Sequence, residues 1–167
     1  MVFFYGHQTE MMLSREKKHL LNRVVIEPMQ PGDLDQVLSI EKTSYRRPWT
    51  RAGFKTELDR SCAVCLVVCE ADQVLGYLIF WEIRTEIHIL NLAVSPDKRR
   101  QGLGRLLLEY MFDWGRERGV KRVFLEVRVM NHAARKLYEQ SGFVVTGRRK
   151  NYYEEEKEDA LLMTRSL

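Results

Sequence analysis

Between Ile89 and Trp114 the chain runs through an apolar stretch, a basic turn with two glycines, and a helical pattern. The stretch Ile89-Leu90-Asn91-Leu92-Ala93-Val94 stops at Ser95-Pro96-Asp97, and Lys98-Arg99-Arg100-Gln101-Gly102-Leu103-Gly104-Arg105 follows. Leu103, Leu106, Leu107, Met111 and Trp114 then recur at helical spacing. The first N–H groups of a helix have no intrahelical partner, and its dipole is positive at that end. Glycines let an anion approach those groups with no Cβ in the way. The segment is therefore built to hold a phosphate-bearing ligand over Arg99 to Arg105. It is not a P-loop, because G-x-x-x-x-G-K-S/T occurs nowhere in the chain. It is not a dinucleotide fingerprint either, since the third glycine of that motif would fall at Leu107. The alternative reading of the loop with its flanks is a solvated basic turn whose glycines only shape it.

Two further residues could move protons. Glu126 interrupts the apolar run Val123-Phe124-Leu125-Glu126-Val127, and a carboxylate in such a strand is costly to bury unless it is paired or used. Arg128 shares its strand face and would make a structural pair; the alternative is a general base acting through a water. Tyr138 lies in a helical pattern with Ala134 and Leu137. From periodicity alone it reads as a core tyrosine with its hydroxyl at the edge.

The cysteines carry no chemistry. Cys62, Cys65 and Cys69 stand in a β-branched apolar run, where alternation sets Cys62 on the face opposite Cys65 and Cys69. With no second cysteine pair and the four histidines scattered, they read as small buried hydrophobes; no metal is expected. A net charge of +4 is too mild for a dedicated nucleic-acid binder, and it fits a polyanionic ligand. No apolar run approaches the ~18 residues a membrane span needs. Nor does the start of the chain resemble a signal peptide. A cytoplasmic protein with no membrane partner and no direct nucleic-acid partner is the expectation.

These residues need elements to position them. In this chain of 167 residues, 1–22 read as a flexible extension, with Met11 or Met12 as alternative starts, and 23–167 as one domain. Val24-Val25-Ile26 is a first strand. Leu34, Val37, Leu38, Ile40 and Glu41 form a helix, and Thr50 caps a second through Phe54 and Leu58. Cys62 to Cys69, Val74 to Trp81 and Thr85 to Val94 are strands, and the helix from Gln101 ends near Gly119. Val120 to Val127 is a strand and Asn131 to Gln140 a helix. Phe143 to Thr146 opens a final pair that returns at Ala160 to Thr164. The order is mixed α/β, largely antiparallel at the front, with one crossover helix.

Arg99-x-x-Gly102-x-Gly104 resembles the acetyl-coenzyme A signature R/Q-x-x-G-x-G/A of the GNAT superfamily of N-acetyltransferases. Asn131-x-x-Ala134-x-x-x-Tyr138-x-x-x-Gly142-Phe143 resembles the second coenzyme A motif of that superfamily. The two stand in order at the family's separation, and the resemblance spans Val24 to the C-terminus. Further strings narrow it to the RimI family, the ribosomal-protein alanine N-acetyltransferases of bacteria. They are Glu41-x-x-Ser44-Tyr45-x-x-Pro48-Trp49-Thr50, Asn91 to Val94, Leu125 to Arg128, and Arg149 to Tyr153 before Glu158-Asp159-Ala160-Leu161-x-Met163.

The resemblance implies a GNAT fold of the α/β (α+β) class, with a mixed sheet of about six to seven strands and about four helices. It implies transfer of acetyl from acetyl-coenzyme A to a protein α-amino group, the N-terminal alanine of a small-subunit ribosomal protein. The alternatives within the fold are a small-molecule amine or a lysine side chain as acceptor. By the same resemblance Glu126 is the base and Tyr138 the acid toward the thiolate. Leu92, Ala93 and Val94 supply the backbone that binds the thioester and its oxyanion. Arg99, Arg100, Gln101, Gly102, Leu103, Gly104 and Arg105 hold the pyrophosphate, and Asn131 contacts the cofactor. Trp49, Tyr152 and Tyr153 would meet the acceptor. Arg46-Arg47 before Pro48 departs from the aromatic or apolar residue usual there.

Overall fold

The computed structural model describes residues 20–153 and 157–167. Residues 1–19, most of the expected extension, and the acidic run 154–156 lie outside the described residues. The elements are β1 (Val24–Pro28), α1 (Leu34–Ser44), α2 (Arg51–Leu58), β2 (Ala63–Glu70), β3 (Gln73–Ile83), β4 (Glu86–Val94), α3 (Leu103–Glu117), β5 (Arg122–Arg128), α4 (His132–Gln140), β6 (Val144–Tyr153) and β7 (Glu158–Ser166). The seven strands form one sheet in the order β1-β2-β3-β4-β5-β7-β6. Every pairing is antiparallel except β4–β5. A parallel pair needs a crossover, and α3 provides it. Among the described residues, the seven strands and four helices of eight or more residues match the expected class.

Alternation along β2 and β3 explains the two layers. Both strands are apolar on both faces, as strands covered on each side must be. On one face α1 and α2 press Leu34, Val37, Ile40 and Phe54 against Cys65, Val67, Cys69, Tyr77 and Ile79. On the other, α3 presses Leu103, Leu107, Leu108, Met111 and Phe112 against Leu66, Val68, Leu78, Phe80 and Ile87. Leu20 is buried in this second core, so at least the end of the segment before β1 docks there. No described helix is long and apolar enough to cross a membrane.

Local signals set the helix ends. Thr50 is the N-cap of α2, and its side chain accepts from the Gly53 N–H at 3.1 Å. β6 is longer than the expected Phe143 to Thr146, reaching Tyr153. It is the sheet's edge and is largely exposed along its length, so its charged run Arg148-Arg149-Lys150 hid the strand period.

Cys65 and Cys69 are buried, both on the α1–α2 face. Burial first, then Glu57 for Cys65 and Glu27 for Cys69, pushes each thiol up to about 11. Among the described residues no group of three or more His, Cys, Asp or Glu is placed to hold a metal ion.

Candidate active site

The parallel pair β4–β5 comes apart. Register runs from Glu86↔Arg122 to Ile89↔Leu125 and goes no further. β4 continues to Val94 and β5 to Arg128. The cause lies across β3, where the register steps from Phe80↔Ile89 to Ile79↔Asn91 and leaves Leu90 as an extra residue. Such a bulge bends its strand and increases the local twist. The wedge between the parted strands opens into a cleft of about 1120 Å³. It brings together Leu92, Glu126, Asn131, Tyr138, Trp49 and Tyr153.

Glu126 reaches the cleft by alternation. Val123, Leu125 and Val127 are buried on the α3 side of β5, so Phe124, Glu126 and Arg128 face the other way. Its cation is not Arg128, the structural partner that its strand face offered. Arg149 Nη1 on β6 lies 2.8 Å from Glu126 Oε1. The nearby Glu126 carboxylate is the main reason the Tyr152 pKa is raised. Arg128 is drawn toward the other end of the hairpin. It pairs with Glu158 at 3.0 Å and lies over the Tyr153 ring at 3.6 Å. Of the two tyrosines, Tyr153 lines the cleft and Tyr152 lies outside its lining.

Tyr138 is fixed by the stop of its own helix. Gly142 adopts φ +83 after α4, its N–H donates to the Glu139 carbonyl, and the Phe143 N–H donates to the Tyr138 carbonyl, both at 3.0 Å. This is the paired bonding of a Schellman stop, and the left-handed position calls for glycine. The string Tyr138-x-x-x-Gly142-Phe143 is therefore a device for placing one tyrosine. The ring is 7% exposed against the cleft. Burial, with a smaller contribution from Tyr153, raises its pKa well above the ordinary phenol value.

Asn131 is the N-cap of α4, its Oδ1 accepting from the Ala134 N–H at 3.1 Å. Any contact with a ligand would therefore come from its NH2 end.

The basic turn leads from β4 to the start of α3, beyond the cleft's lining. Gly102 is the N-cap of α3 at φ +96 and Arg100 precedes it at φ +59, which turns the chain so that α3 starts at Leu103. Gly104 serves contact instead. A Cβ there would stand 3.1 Å from Leu137 Cδ2, so the glycine lets α4 close on α3. The Arg99 side chain reaches back to the Val94 carbonyl at 3.0 Å and to Ser44 Oγ at 2.9 Å. Arg105 pairs with Glu109 at 2.7 Å on the exposed face. Ala93 turns its side chain into the α1–α2 core, so only its backbone can face a ligand.

Sequence reasoning gave no role to three residues of the cleft wall, Glu41, Tyr45 and Asn91. Glu41 is 1% exposed and accepts from the Trp49 N–H, the Tyr77 hydroxyl and Asn91 Nδ2. The Tyr45 hydroxyl donates to the Leu92 carbonyl at 2.6 Å, and burial raises its pKa. Glu41 did leave a signal. It stands four residues after Val37 and seven after Leu34, on the apolar stripe of α1.

An open strand edge, a glycine turn feeding a helix N-terminus, a carboxylate and a buried phenol thus border one path. That combination suits transfer of an acyl group from a phosphate-bearing thioester. Residues 34–143 match the sequence profile of the acetyltransferase (GNAT) family. The chain belongs to that family and is an acetyl-coenzyme A-dependent N-acetyltransferase.

Among its relatives is the ribosomal protein bS18-alanine N-acetyltransferase of Escherichia coli K12. That protein is 34% identical over 140 residues, which are 83% of this chain and 94% of the relative. The crystal structure of the ribosomal-protein-S18-alanine N-acetyltransferase from Escherichia coli superposes with a TM-score of 0.79 at 33% identity. The match covers 86% of this chain and 93% of that one. Ard1 from Thermoplasma volcanium superposes with a TM-score of 0.81 at 30% identity, over 87% and 98% of the two chains.

Proposed function

We propose that the enzyme acetylates the α-amino group of a protein N-terminus, and that its acceptor is the N-terminal alanine of the small-subunit ribosomal protein bS18. The activities of the similar enzymes support the acceptor. The observation that carries the chemistry is that Glu126, Tyr138 and Leu92 border one cleft where β4 and β5 part.

Acetyl-coenzyme A supplies the activated acetyl group as a thioester. The residues present fit it. β4 beyond Ile89 offers an unpaired backbone edge, and Gly102 and Gly104 open the turn at the α3 N-terminus. On this reading the turn from Arg99 to Arg105, with its helix N–H groups and cations, holds the diphosphate. The backbone from Leu92 to Val94 holds the acyl end and donates to the developing oxyanion. Asn131 contributes its NH2 end to the same ligand.

Glu126 takes the proton from the acceptor ammonium through a water. An α-amino group has a pKa near 8, about two units below a lysine side chain, so a carboxylate relay suffices at neutral pH. Arg149 orients that carboxylate through its ion pair. Tyr138 then gives its hydroxyl proton to the departing sulfur. Burial keeps Tyr138 protonated until that moment, and the same apolar wall disfavours a thiolate left beside it. Trp49 and Tyr153 flank the acceptor's entry.

The test is thiol release from acetyl-coenzyme A with two peptides. One begins with a free Ala followed by basic residues; the other has a blocked N-terminus and the same lysines. Release with the free-Ala peptide alone supports the reading. Equal release with both peptides moves the acceptor to lysine, and release with neither points to a small amine.

A further inference from the structure

Glu41 takes no part in the transfer steps above, yet it lies against the cleft with 1% of its surface exposed. Its Oε1 accepts from the Trp49 N–H at 2.6 Å. Its Oε2 accepts from the Tyr77 hydroxyl and from Asn91 Nδ2, the latter at 3.2 Å. These partners come from the turn before α2, from β3 and from β4. All three are neutral donors, so the carboxylate is not there to complete an ion pair. A carboxylate is costly to bury and is tolerated when its lone pairs are filled.

What this burial achieves is a fixed relation between two walls. One wall is the turn from Tyr45 to Thr50, which carries Trp49 into the cleft. The other is β4 just past its Leu90 bulge, at Asn91 and Leu92. Tyr45 adds a second tie, from its hydroxyl to the Leu92 carbonyl. Trp49 is braced from outside by Phe54, with ring centroids 5.3 Å apart.

We propose that Glu41 is a positioning residue, which locks the acceptor wall at Trp49 onto the donor strand at Asn91 and so sets where an incoming amine meets the acyl group. The proposal rests on the N-terminal acetyltransferase reading above.

Hydrogen-bond chemistry makes two substitutions behave differently. In Glu41→Gln the amide oxygen can keep the Trp49 N–H. The new NH2 can face Tyr77 and Asn91, because a hydroxyl can accept as well as donate and an Asn amide can turn its oxygen round. The lock survives. In Glu41→Leu the volume is similar, but all three donors lose their acceptor and the turn is released.

The experiment measures kcat and KM for the free-Ala peptide, the acetyl-coenzyme A Kd, and a melting curve for each variant. Glu41→Gln should stay within about threefold of the parent in both kinetic constants. Glu41→Leu should raise the peptide KM about tenfold or more and lower kcat, as loss of a positioned encounter does. Its acetyl-coenzyme A Kd should stay within about twofold, because that ligand is held along the whole β4 edge and the α3 turn. If Glu41→Leu does not fold, Asn91→Ala carries the test. It removes the strand tie to Glu41 together with the longer Tyr77–Asn91 bond, and should give the same split with a smaller KM rise. Parent-like constants in Glu41→Leu or Asn91→Ala overturn the proposal. So does an equal loss of acetyl-coenzyme A and peptide binding, which marks general loosening. A parent enzyme that does not turn over the peptide overturns the functional reading and this proposal together. A parent that does, with unaffected variants, overturns this proposal alone.

Discussion

Phe143 closes the helix that carries Tyr138: its N–H donates to the Tyr138 carbonyl at 3.0 Å, and the two rings meet edge-on with centroids 5.6 Å apart. The residue assigned to protonate the leaving sulfur is thus held at the backbone and at the ring by one neighbour.

Gly142 makes that stop possible, so Gly142→Ala should disturb it. The nearest atom a Cβ would meet is Arg165 Nε at 3.5 Å, an ordinary contact, so the cost comes from backbone strain at φ +83. About 1–2 kcal/mol is expected for a side chain in that region, lowering Tm by roughly 2–8 °C for a domain of this size. Calorimetry with steady-state kinetics checks it. The fall in kcat should exceed any change in acetyl-coenzyme A affinity.

Tyr138→Phe keeps the ring contacts and removes only the hydroxyl. It should lower kcat about a hundredfold or more, the usual scale for a lost proton donor, and leave acetyl-coenzyme A binding nearly intact. A large loss of affinity in isothermal titration would make Tyr138 a packing residue instead.

Glu126→Gln should flatten the acid limb of the pH dependence of kcat/KM for a peptide acceptor. An unchanged limb removes Glu126 from the base role. Arg149→Ala should misplace the carboxylate without removing it, and so should fall between the parent and Glu126→Gln in kcat.

Acid should loosen the β6–β7 hairpin beside the cleft. The Asn151 N–H, then the Arg148 guanidinium, hold Asp159 below the ordinary carboxylate range. A carboxyl with a depressed folded pKa contributes stability that is present above its unfolded value, near 3.9, and is lost as pH falls through the lower folded value. Asp159→Asn should therefore be less stable than the parent at neutral pH, and the difference should shrink below about pH 4. Thermal melts of both proteins from neutral to pH 3 would show it; a difference independent of pH would mean that charge is not involved.

Much of this was legible because the relevant signals are local. The turn proposed to hold the diphosphate is read from Gly102 and Gly104 before an apolar helical stripe, and the α4 stop from Gly142 and Phe143. Both signals lie within a few residues of what they shape. Glu41 was not legible as a lock, since Tyr77 and Asn91 stand 36 and 50 residues away and only the sheet brings them to α1. The Glu126 cation was misread for a similar reason. Strand alternation offers Arg128, but the antiparallel return of the hairpin places Arg149 of β6 beside Glu126 and Glu158 of β7 beside Arg128. The full length of β6 was hidden because an edge strand need not be apolar on either face.

The central claim is that the acetyl group goes to an α-amino group. The most direct measurement is a fragment mass spectrum of one peptide that begins with Ala and carries internal lysines, incubated with enzyme and acetyl-coenzyme A. The account predicts a single acetyl on the first residue, absent when Glu126→Gln or Tyr138→Phe replaces the parent over the same time. An acetyl found on the lysines with the N-terminus left free would contradict it.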